Sequence, residues 1–121
     1  MCGTHNPLSL HLHFVKDGNG VHTRFKASSY LQGYSGILHG GVIAALLDSA
    51  MTHCLFQHDI YALTADLRVR FHRPVPCDAV LDLRATLVAS RPPLFLVHSR
   101  LYVGNDLMAE AEAKFMEFDN P

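Results

Sequence analysis

Hydrophobic positions along the chain change period twice. Leu8, Leu10, Leu12 and Phe14 alternate with Ser9, His11 and His13, the spacing of a half-buried strand, and Val21, Thr23, Phe25 and Ala27 repeat it after Asp17-Gly18-Asn19-Gly20. Together they predict a hairpin. From Val42 to Phe56 only Asp48, Ser49, Thr52 and His53 interrupt an apolar run. A helix from about Gly41 to Gln57 is expected, apolar nearly all round and therefore inside a core. The stretch from Ser28 to Leu38, with Gly33 and Gly36, reads as the loop that leads into it. Period two then returns: Leu63, Ala65, Leu67, Val69 and Phe71 face one way, and Thr64, Asp66, Arg68, Arg70 and His72 the other, until Pro74 and Pro76 end the strand. Leu81, Leu83, Ala85, Leu87 and Ala89 form another strand, Arg91-Pro92-Pro93 a break, and Leu94 to Val103 a further strand. After the turn at Gly104-Asn105-Asp106, Leu107 to Phe118 mixes helix-favouring alanine and glutamate with strand alternation at Ala109, Ala111, Ala113 and Phe115. We assign it as a strand, because the strands before it need a covering partner.

Two strands, one long helix and four strands make an α+β chain. The natural packing is an antiparallel sheet of about six strands wrapped around one central helix, the shape called a hotdog fold. Residues 1–121 are read as a single domain of this kind. A formal charge of −1 supplies no broad basic surface for nucleic acid, and no apolar run reaches the roughly 18 residues of a membrane span. The start of the chain lacks a charged-then-apolar leader, so a cytoplasmic location is expected. Cys2, Cys54 and Cys77 are odd in number and widely spaced, which fits reduced thiols better than a disulfide framework or a zinc site; no metal is expected.

The candidate chemistry lies at the start of the helix. Gly36-Ile37-Leu38-His39-Gly40-Gly41 runs straight into it, and a glycine pair there leaves backbone N–H groups that attract negative charge. Asp48 is an isolated acid in an apolar helix, costly without a partner or a task. It follows His39 by nine positions, roughly 13.5 Å along the axis and about 900° around it. Two groups so separated can serve one carbonyl only from two chains, so a homodimer with two shared sites is expected. The residues alone leave other roles open. The glycine pair suits tight packing of a loop as well, His39 a purely structural role in that loop, and Asp48 a solvated stripe with Ser49, Thr52 and His53. Ser49 and His53 share a helix face, yet no orienting acid completes a nucleophile-base arrangement.

The run from Gln32 through His39, Gly40 and Gly41, with Asp48, then Thr64-Ala65-Asp66-Leu67 and Phe71-His72-Arg73-Pro74-Val75, resembles the hotdog acyl-CoA thioesterases of the phenylacetate-degradation (PaaI-like) type. Cys2-Gly3-Thr4-His5-Asn6-Pro7 is similar to the N-terminal segment of one branch, where paired cysteines are usual and this chain has one. The resemblance implies hydrolysis of an acyl-CoA thioester by a homodimer, often paired into a dimer of dimers, without a cofactor. Asp48 would be general base or nucleophile, and the Gly40 N–H would polarise the thioester oxygen. His39 would position the loop, and Thr64 would hold the attacking water or the acid. Two positions depart from the pattern: Gly33 stands where an amide side chain is common, leaving Gln32 beside it as a loose substitute, and Ser49 follows Asp48 where glutamate is common. Gly41 and Ser49 are expected to border the substrate. Arg68, Arg70 and Arg73 suit the phosphates of coenzyme A, or plain surface charge. A non-catalytic acyl-CoA-binding or sensing module and a hotdog hydratase or dehydratase are the competing readings.

Overall fold

Along residues 14–26, 32–34 and 37–118, which the computed structural model describes, the chain forms a six-stranded antiparallel sheet with one helix against it. Of the strand expected over residues 8–15, residues 8–13 with the histidines at 11 and 13 lie outside the described residues, as does the segment around Cys2. The first described elements are a hairpin of β1 (Val15–Asp17) and β2 (Gly20–Lys26), joined where Gly18 adopts φ 60°. A two-residue hairpin loop requires such a left-handed residue, and Gly104 (φ 61°) does the same between β7 (Leu94–Val103) and β8 (Asp106–Glu117). The stretch read as a plain loop contains a short ribbon of β3 (Gln32–Tyr34) and β4 (Ile37–Leu38), paired antiparallel. The helix α1 spans Gly40–Phe56, within a residue of expectation, and β5 (Ala62–Phe71) and β6 (Val80–Arg91) complete the order.

The strands lie in the order β1-β2-β6-β7-β8-β5. The ambiguous last stretch is a strand, held in register by β7 on one side and β5 on the other. Ladders on both edges outweigh the helix propensity of alanine and glutamate, which is a weak prior. Its Ala109, Ala111, Ala113 and Phe115 are buried and face α1. The core is formed by Leu46, Leu47, Ala50, Met51 and Cys54 of the helix against Leu81, Leu83, Val97, Leu101 and Phe115 of the sheet. At about 1.5–3 kcal/mol for each large side chain taken out of water, this seat holds the helix in place. Asp48 and Thr52 stay half-buried, so the helix is covered on most sides rather than all.

One strand departs from its predicted faces. Thr64 stands opposite the buried Phe115 and Asp66 opposite Lys114, with Ala65 as an extra residue between them. This bulge turns Thr64 inward, onto the same face as Leu67, Val69 and Phe71, while Leu63, paired with Met116, turns outward and is 65% exposed. Strict alternation had placed Thr64 and Leu67 on opposite faces. Bulges re-aim side chains in this way, and single-strand periodicity cannot show where one falls.

Candidate active site

The loop reaches α1 through His39, whose extended backbone (φ −62°, ψ 135°) makes it the N-cap. Its Nδ1 accepts a hydrogen bond of 2.9 Å from the Gly41 N–H, and its carbonyl accepts from Val42 and Ile43. Of the four N–H groups that a helix start leaves over, those of Gly41 and Val42 are thereby used, while Ile43 makes the first regular bond of the helix. The N–H of exposed Gly40 has no acceptor among the described residues. A Cβ at Gly41 would lie 3.0 Å from His39 Nδ1, so the capping ring would have to give by a few tenths of an ångström. Among the described residues, a Cβ at Gly40 would meet only the Phe71 ring, at 3.7 Å.

Eight residues further along the helix, the half-buried Asp48 carboxylate accepts a hydrogen bond of 2.8 Å from the Thr64 hydroxyl. The bulge in β5 places that hydroxyl where it is. Since Phe71 adjoins Gly40 and Thr64 adjoins Asp48, β5 runs antiparallel to α1 along one flank of the helix. Among the described residues β5 has a neighbour on one side only, so the flank ends in an unpaired sheet edge. On the helix, Gly41, Ala45, Asp48 and Thr52 follow one another at helical spacing and remain exposed or half-buried.

The remaining predicted residues are dispersed. Ser49 is 8% exposed and faces the core side of the helix. Gln32 contributes its backbone to β3, opposite Leu38. Arg68 and Arg70 project from the outer face of the sheet, opposite to Thr64; Arg68 lies 4.0 Å from Asp66. Arg73 follows β5 and lies 3.8 Å from Asp106. The His53 ring stacks on Phe14 with centroids 4.5 Å apart, and burial lowers its pKa, which favours the neutral imidazole. Burial pushes the Cys54 thiol up, against a smaller opposing effect from a backbone contact at Leu87, so it is a poor nucleophile. Neither Cys54 nor Cys77 is in a disulfide. Sequence reasoning passed over Phe71, the residue beside Gly40. Its signal was an aromatic ending the inward row of β5 just ahead of Pro74, and only the packing of β5 on α1 brings that row to the helix start.

Known proteins share this fold. Over 97 residues the chain is 32% identical to the acyl-coenzyme A thioesterase THEM4 of Bos taurus, a match that takes in 78% of this chain and 40% of the relative. The chain thus spans less than half the length of the mammalian thioesterases it matches. A shorter segment of 47 residues is 45% identical to the 3-hydroxyacyl-[acyl-carrier-protein] dehydratase FabZ of Syntrophotalea carbinolica, covering 39% of this chain and 32% of that protein. In three dimensions, a variant of the phenylacetic acid degradation protein PaaI from Thermus thermophilus superposes with a TM-score of 0.79 at 18% identity, covering 88% of this chain and 93% of that one. Residues 35–110, which hold His39, Gly40, Asp48 and Thr64, match the thioesterase superfamily. With that match extending over more than half of its length, the chain belongs to the thioesterase superfamily.

Proposed function

We propose that this protein hydrolyses an acyl-CoA thioester at two identical sites shared across a homodimer. The observation that carries the reading is the division of labour along the helix: His39 caps Gly41, the Gly40 N–H has no acceptor among the described residues, and Asp48 is held by Thr64 further along. An open amide at a helix N-terminus suits the oxygen of a thioester as negative charge develops on it. A carboxylate fixed by one hydroxyl keeps its other lone pairs for a water molecule.

Gly40 and Asp48 lie eight residues apart, about 12 Å along one helix, too far to act on one carbonyl. A second copy removes the difficulty. If two α1 helices pack antiparallel about a two-fold axis opposite Ala44, Gly40 of each chain stands level with Asp48 of its partner. The helix carries Ala44 and Ala45 there, small enough for close approach, and the free edge of β5 runs alongside to continue the sheet into the second chain. In this reading Gly41 shapes the site through its bond to His39, and Gln32 borders it from the loop. Arg73 is best placed for a coenzyme A phosphate, with Arg68 and Arg70 reaching from the outer face; buried Ser49 would act from beneath. Pairing of such dimers into tetramers is a further part of the proposal.

The test is replacement of Asp48. With Asp48→Asn the fold and melting temperature should hold, because Asn keeps the size and the acceptor for Thr64. Thiol release should fall by about 10²- to 10⁴-fold, the contribution typical of a positioned base. Release at the wild-type rate by a correctly folded variant would exclude Asp48 from the chemistry. The FabZ likeness supports a second reading, dehydration of a hydroxyacyl thioester. Formation of an enoyl product without thiol release would establish it in place of hydrolysis.

A further inference from the structure

Two large apolar side chains stand open on the inward face of β5, on either side of half-buried Val69. Phe71 is 54% exposed and Leu67 37%, although their partners across the ladder, Ala109 and Ala113, are buried in the core. Phe71 lies closest to the chemistry, with Cζ and Cε1 3.7 and 3.8 Å from the position of a Cβ on Gly40. We propose that Phe71, with Leu67 behind it, is the surface that selects the acyl group, and that it favours a neutral, apolar acyl chain. The proposal rests on the reading of Gly40 as the donor to the thioester oxygen.

An oxygen bonded to the Gly40 N–H sits about 3 Å from that nitrogen, which brings a group attached to the same carbonyl carbon within reach of the Phe71 ring. Two groups are attached there, the acyl chain and the thiol-linked arm of coenzyme A. The arm carries amides, which would exchange water for an apolar surface without gaining hydrogen bonds. The acyl chain has no such loss and gains by leaving water. From Phe71 the row continues through half-buried Val69 to Leu67, roughly 13 Å of inward-facing strand. Asp66, Arg68 and Arg70 all point to the opposite face, so an acyl chain ending in a carboxylate would find no cation along this row.

The experiment compares kcat/KM for acetyl-CoA, octanoyl-CoA and the octanoyl derivative bearing a terminal carboxylate. The wild type should favour octanoyl-CoA over both. Phe71→Ala should lower the octanoyl-to-acetyl ratio by about tenfold or more, the low end of what apolar pocket contacts supply. Phe71→Leu should restore most of that ratio, and Leu67→Ala should fall between. A uniform loss on all three substrates, with the ratio preserved, would mean that Phe71 packs the helix start or a partner chain, and would overturn the proposal. If the wild type releases thiol from none of them, the thioesterase reading itself fails. The same comparison is then made on affinity for octyl-CoA and ethyl-CoA thioethers, which cannot be hydrolysed. A tenfold loss of the octyl preference in Phe71→Ala would uphold the contact, and an unchanged preference would refute it.

Discussion

Gly40 and Gly41 are adjacent glycines that the structure puts to different uses. Gly41 leaves space for its cap: the His39 ring comes within 3.0 Å of where a Cβ would be, and the ring nitrogen takes the Gly41 N–H. At Gly40 space is not the constraint, because an added Cβ makes ordinary contact with Phe71. The N–H, without an acceptor among the described residues, is what distinguishes the position. Gly40→Ala should therefore leave the fold intact, and should raise thermal stability slightly, since alanine is the better helix former. The methyl group would crowd the approach to the donor. We expect kcat to fall by up to about 10²-fold, as when one oxyanion donor is lost, with a smaller change in KM. Steady-state kinetics together with binding of a non-hydrolysable acyl-CoA analogue checks this; unchanged kcat with weakened binding would make Gly40 a pocket wall only.

At the scale of elements, α1 and β5 share a flank that nothing in the described chain covers. The helix shows Gly41, Ala45, Asp48 and Thr52 along it, and β5 shows a ladder edge without a partner. Long unpaired edges are normally blunted by charge or covered, so a ten-residue edge strand beside a row of small side chains is the place where a second copy would fit. Ala45→Trp places a bulky ring on this row without touching the core. It should shift the protein from dimer to monomer in sedimentation at micromolar concentration and reduce turnover at least as much as loss of Asp48, because both sites would be dismantled. A variant that sediments and turns over like the wild type would remove the shared-site arrangement.

For the whole molecule, the charge state of His53 couples stability to pH. The ring lies between Phe14 and Phe56 near the end of α1, and burial sets its pKa below the ordinary value of 6.5. The unfolded chain therefore takes up this proton at a higher pH than the folded one. As pH falls through about 6.5 the unfolded state gains protons that the folded state refuses, and stability declines; it levels off below the folded pKa. Melting temperatures at pH 7.5 and 5.5 should show a drop for the wild type and a smaller drop for His53→Phe, which keeps the aromatic contacts and cannot ionise. An equal drop in both proteins would assign the pH dependence to other groups.

Much of this architecture was legible in one dimension. Alternation marked β2, β5, β6 and β8, the break at Arg91-Pro92-Pro93 set off β7, a nearly unbroken apolar run marked α1, and these signals are local, because burial on one face or all round is written directly into residue order. The glycine pair at 40 and 41 and the isolated acid at 48 were visible for the same reason. What residue order could not specify is which groups meet. The bulge at Ala65 depends on the register of β5 against β8, so only the assembled sheet turns Thr64 toward Asp48. The choice of strand for residues 106–117 was settled by ladders on both sides, and the use of the Gly41 N–H by the rotamer of His39. Phe71 reads in sequence as one more inward strand residue. It borders the helix start only because β5 packs antiparallel along α1, a contact between segments about thirty residues apart that tertiary packing alone creates.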